Sequence, residues 1–105
     1  MIDNKNVVLS GFELEPTELL IVKKSIETYI KKIKERATYQ ELKLSLKKSL
    51  HGKAFLHEIK GSLIAGKSRL TANASNYNLF SALSEVFERL LNEIEHKQRT
   101  PRQLK

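Results

Sequence analysis

The chain has no cysteine and no tryptophan, one methionine, two prolines and four glycines in 105 residues. Without cysteine there is no disulfide framework, no thiolate metal site and no cysteine nucleophile. The few glycines form none of the spaced motifs that cradle a phosphate or turn a nucleophile elbow. Gly66-Lys67-Ser68 looks like the end of a phosphate loop. No strand leads into a helix there, so it reads as a hairpin turn. No apolar run approaches the roughly 18 residues of a membrane span. The opening Met1-Ile2-Asp3-Asn4-Lys5-Asn6 lacks the basic start and long apolar stretch of a signal peptide. His51, His57 and His96 stand at no metal-ligand spacing and near no Asp or Cys cluster. Nothing in these residues asks for an enzyme, a metal or a cofactor, and no membrane partner is expected.

What the chain does have is positive charge. Nineteen lysines and arginines against 12 acids give a net charge of +7 and a pI near 9.7. An apolar fraction of 40% suffices for a core. The length suits one domain that buries roughly two-thirds of its unfolded surface. We read residues 1–97 as that domain and 98–105 as a short, flexible basic tail of a soluble, cytoplasmic protein. The charge is uneven. Residues 37–74 hold seven cations and two acids, and residues 75–98 hold two cations and four acids. A basic excess confined to part of a chain points to a polyanionic partner, most simply a nucleic acid.

The apolar pattern changes period along the chain. Val7-Val8-Leu9 reads as a first strand that stops at Ser10-Gly11. Glu15-Pro16-Thr17-Glu18 opens a helix, with proline in the first turn and acids at the positive end of the dipole. Leu19, Val22, Ile26, Tyr29, Ile30 and Ile33 then fall within an arc of about 100° on a helical wheel. Leu42, Leu44 and Leu46 alternate with polar residues as a half-buried strand, with Ser49 to Gly52 as the connection. Lys53 to Ile64 reads as a third strand with a bulge or bend at Gly61, and Leu70, Ala72 and Ala74 as a fourth. Ser75 to Asn78 offers N-caps for a second helix, whose wider apolar face, from Leu79 to Ile94, makes it the more buried one. The fold class is α+β. We expect a two-layer β-α-β-β-β-α sandwich, with a four-stranded, mainly antiparallel sheet and both helices on one face. The other face would then show Lys43, Ser45, Lys47, Arg69, Thr71 and Asn73.

On the first helix Lys23, Lys24, Lys31 and Lys34 cluster on one flank of the apolar stripe, with Lys32 and Arg36 on the other. Lys43, Lys47, Lys48 and Lys53 continue the charge through the second strand and its loop, and Lys67 and Arg69 stand at the next hairpin. Cations at such intervals can follow successive phosphates, which need charge more than fixed geometry. Phe55, Tyr39 and Tyr77 are candidate exposed aromatics, but no aromatic-rich strand is present to stack single-stranded bases. The reading is therefore a folded RNA surface held through backbone and shape.

Two segments carry a family resemblance. Leu70-Thr71-Ala72-Asn73-Ala74-Ser75 is followed by Asn78-Leu79-Phe80-Ser81-Ala82-Leu83, a strand of alternating small residues that leads into a helix. Leu9-Ser10-Gly11 and the Leu42-Leu44-Leu46 strand add to it. The pattern resembles the ribosome hibernation-promoting factor and ribosome-associated inhibitor family, short form, over roughly residues 7–97. The resemblance implies the same β-α-β-β-β-α fold and binding to the small ribosomal subunit through rRNA, with ribosomal proteins as further contacts. It implies occlusion of the mRNA and tRNA channel in stationary phase or stress, without catalysis. Lys32 stands at a basic position of the family, Arg89 matches another and Lys97 lies near a third. Asn92 and His96 stand where the family carries cations, and Glu85, Glu88, Glu93 and Glu95 make the second helix acidic. This shifts the expected interface towards the first helix and the Lys43 to Lys53 region. Two other readings stay open: a different structured RNA, or a protein-interaction module in which Leu20 and Ile21 form the contact.

Overall fold

The computed structural model describes residues 6–103, and side chains as far as His96. Of the opening residues read for a signal peptide, Met1 to Lys5 lie outside this range. So do the side chains of residues 97–105, which include Lys97 and the expected basic tail. The order of elements is β1 (Val7–Ser10), α1 (Pro16–Arg36), β2 (Glu41–His51), β3 (Ala54–Ala65), β4 (Ser68–Asn76) and α2 (Leu79–Gln103). This is the expected α+β arrangement, two helices on a four-stranded sheet of order β1-β2-β3-β4.

Helix α1 starts at Pro16, where the missing N–H costs nothing. The Glu18 carboxylate accepts the Glu15 N–H at 3.4 Å, and the Leu19 N–H reaches the Glu15 carbonyl at 2.9 Å. At the start of α2 the Asn78 side chain accepts the Ser81 N–H at 2.9 Å, the N-cap that the sequence offered. Both hairpins turn on two residues. Gly52 and Gly66 take the first central position with φ of 65° and 64°, the left-handed value that a type II′ turn requires there.

The sheet is mainly antiparallel, as expected, with one parallel pair, and two other details differ from the expectation. The sheet is mixed, because β1 pairs parallel to β2 while β2–β3 and β3–β4 are antiparallel. Helix α1 returns the chain to the end where β1 began, so the crossover imposes a parallel neighbour. Strand β2 continues through Ser49 to His51, residues read as a connection, because the tight turn lets both strands of the hairpin pair to its tip. Gly61 is not a bulge. The β3 ladders pass through it without a break, pairing it with Leu44 and Ala72.

The role of Gly61 is volume. A Cβ placed there would lie 2.8 Å from Val86 Cγ1 and 3.2 Å from Leu44 Cδ2. Gly61 and Ala72, paired in one row, and Ala74 in the next form the low part of the sheet, and α2 packs on β3 and β4. Helix α2 buries Leu83, Val86, Phe87 and Leu90 almost completely, while α1 contributes the narrower stripe Val22, Ile26, Ile30 and Ile33. The helices meet through Tyr29 and Phe87, whose rings stack with centroids 4.7 Å apart. Further along both, Arg36 Nε lies 3.4 Å from Glu95 Oε2. Seven residues on α1 thus match eight on α2, so the two run side by side in the same direction. Tyr39, expected to be exposed, is buried in the core, while Phe55 and Tyr77 are exposed.

Candidate nucleic-acid interface

The fold sorts the sequence-selected cations into separate places. On α1, Lys24, Lys31 and Lys34 are exposed and Lys23 is half-buried. Tyr29 and Arg36 fix which flank faces α2, and helical geometry puts these four lysines on the opposite, outward side. Lys24 to Lys34 covers roughly 15 Å of helix. Glu27 and Glu35 share this flank, but none of the four lysines forms an ion pair among the described residues. The flank keeps a net positive charge.

Lys32 and Arg36 lie on the seam with α2. The Lys32 ammonium sits 5.2 Å from the centre of the Tyr29 ring. Arg36 meets Glu95 and donates to the Lys32 carbonyl at 3.4 Å. Arg36 thus helps to join the helices, while Lys32 covers the Tyr29 ring of its own helix. Arg89 is also engaged, its guanidinium donating to the Asn73 carbonyl on edge strand β4. Lys97 belongs to α2, with its side chain outside the described residues.

The sheet holds the rest. Lys43, Lys47 and Arg69 are exposed on the face without helices, as the alternation implied. Lys48 points to the other face, near the tip of the β2–β3 hairpin, with its ammonium 5.1 Å from the centre of the Phe55 ring. Lys53 stands in the β2–β3 turn and Lys67 in the β3–β4 turn. Antiparallel pairing puts those turns at opposite ends of the sheet, so these two lysines do not share a patch. Lys60, absent from the sequence-based selection, joins the open face opposite Ser45 and Asn73. Its signal was the inward set Ile59, Gly61 and Leu63. The expected bend at Gly61 and the adjacent apolar pairs Phe55-Leu56 and Leu63-Ile64 obscured the alternation.

Among the described residues no group of His, Asp and Glu could hold a metal ion, and no helix is long and apolar enough to cross a membrane. His57 Nδ1 lies 3.3 Å from the Asn76 carbonyl, a contact within the sheet.

Cations without ion pairs thus stand on one helix flank and on the bare face of a two-layer α+β fold. Solved structures share this fold. A ribosomal subunit interface protein from Coxiella burnetii superposes with a TM-score of 0.61 at 8% identity, covering 88% of this chain and 96% of that one. The N-terminal domain of Protein Y from Thermus thermophilus superposes at 0.55 with 22% identity, covering 84% and 92%. Both neighbours belong to the hibernation-promoting factor family, the family that the sequence resembles. At these identities the likeness establishes the fold. No protein-family model and no curated protein sequence matches the chain.

Proposed function

We propose that this protein is a ribosome-associated hibernation factor. It binds the small subunit through rRNA and occludes the path of mRNA and tRNA when translation is idle. The observation that carries this reading is the outward flank of α1, where Lys23, Lys24, Lys31 and Lys34 stand without ion pairs on a fold shared with a ribosomal subunit interface protein. The mechanism is that of a plug. Lysines placed about one to two turns apart neutralise successive phosphates, and the body of the domain fills space that another RNA would need. No bond is made or broken.

Competition tests the occlusion. Small subunits already carrying mRNA and tRNA should exclude the protein, and excess protein should lower translation in a purified system. Equal binding to empty and occupied subunits would contradict the reading. One observation favours a protein contact instead: α1 exposes Leu20 by 56% and Ile21 by 49%. Light scattering of the protein without RNA checks this for a second copy, where a concentration-dependent dimer would support the alternative.

A further inference from the structure

The bare face of the sheet carries an arrangement separate from the helix lysines. The register sets its side chains in rows across the strands. Lys43 shares a row with Ser62 and Thr71, and Lys60 shares the next with Ser45 and Asn73. Arg69 stands one row before Lys43, opposite Ile64, and Lys47 one row after Lys60, opposite Glu58. Lys43, Lys60 and Arg69 line a hollow of about 390 Å³ together with Ser45, Ser62 and Thr71. No carboxylate lines it. None of the three cations makes an ion pair among the described residues.

The spacing identifies the ligand class. The four cations occupy four successive rows, a span of roughly 20 Å along strands that rise about 3.3 Å per residue. One phosphate group would use one or two of them, whereas a chain of phosphates would use all. They form a single file that crosses between β2, β3 and β4, which matches one backbone; a duplex presents two. Phe55 is the one aromatic residue within the strands, and it points to the other face. Base stacking therefore has no platform. The hydroxyls of Ser45, Ser62 and Thr71 and the Asn73 amide lie between the cations, suited to phosphate oxygens and to a ribose 2′-hydroxyl.

We propose that the open sheet face binds a single strand of RNA along its sugar–phosphate backbone, without regard to base sequence. The proposal rests on the RNA-binding part of the function above but does not require the ribosome as the partner. Fluorescence anisotropy of the full chain with a labelled twelve-nucleotide uridine strand tests it.

Binding should weaken with salt at a log–log slope of about −2 to −3, as three to four phosphate contacts on a single strand require. Adenosine strands should bind equally well. The deoxythymidine strand should bind more weakly, through loss of the 2′-hydroxyl. The variant Lys43→Gln/Lys60→Gln/Arg69→Gln, checked for its fold by circular dichroism, should lose affinity by at least about tenfold. The variant Lys24→Gln/Lys31→Gln/Lys34→Gln, which removes the same amount of charge from α1, should keep it within about threefold. Several outcomes would overturn the proposal. Wild-type protein that binds small subunits but no oligonucleotide would remove the sheet site and leave the ribosome reading standing. An equal loss in both variants, or polyglutamate of similar length binding as tightly, would show general attraction to polyanions. Oligonucleotide binding without subunit binding would do the reverse, keeping the sheet site and removing the ribosome reading.

Discussion

The two helices lie side by side on one sheet, yet they divide the work. Helix α2 buries the wider face and carries Glu85, Glu88, Glu93 and Glu95, while Arg89, its one cation with a described side chain, bonds to strand β4. Helix α1 buries a narrower stripe and turns a lysine flank outward. Under the proposed function, α1 recognises the polyanion and α2 supplies the packing. Where both layers must be covered by one small core, the helix with the narrower buried arc has more surface left for a partner. The acids of α2 also act locally, since Glu95 meets Arg36 across the seam and holds that cation between the helices.

Reversing charge on α1 breaks this comparison most strongly. The change Lys24→Glu/Lys31→Glu/Lys34→Glu should weaken small-subunit binding by well over about tenfold and reduce the salt slope by about three, one for each lost phosphate contact. Filter binding across a salt series reads both, and reversal of Arg89 and Lys97 should do less. Equal effects from the two helices would place the interface elsewhere.

The next effect is on stability. Gly61→Ala drives a methyl group against Val86 beneath α2, and should cost about 1–3 kcal/mol in urea denaturation. Leu20→Ala, on the exposed side of α1, should stay within about 0.5 kcal/mol. An unchanged midpoint for the Gly61 variant would contradict the close seating of α2. The smallest effect is a gain. Asn92→Lys with His96→Lys places cations on the exposed side of α2 and should tighten subunit binding about two- to fivefold, as added charge near a polyanion does. Unchanged affinity in the same filter assay would put α2 beyond reach of the RNA.

Much of this was legible in the sequence. The change from a period of 3.6 to a period of 2 and back marked both helices and strands β2 and β4. Pro16 and Asn78 marked the starts of the helices, and the small residues Ala72 and Ala74 marked the strand beneath α2. What was hidden depends on contacts between distant residues. The parallel pairing of β1 follows from the crossover direction, which no local pattern encodes. The true role of Gly61 appears only when Val86 stands above it. For the candidate interface, the outward flank of α1 and the polar sheet face were both readable from periodicity. The roles of Arg36 and Arg89 were not, because Glu95 and the Asn73 carbonyl reach them only through the tertiary fold. The net charge of +7 therefore overstates what faces a partner on the helix layer, and Lys60 adds to what faces one on the sheet.

The central claim is that this basic surface holds the small ribosomal subunit electrostatically. Co-sedimentation of the purified protein with small subunits across a salt series tests it most directly. The account predicts that the protein pellets with small subunits at about 50 mM salt and is released by about 200 mM, as neutralising several phosphates demands. No association at low salt, or association that does not weaken as salt rises, would contradict it.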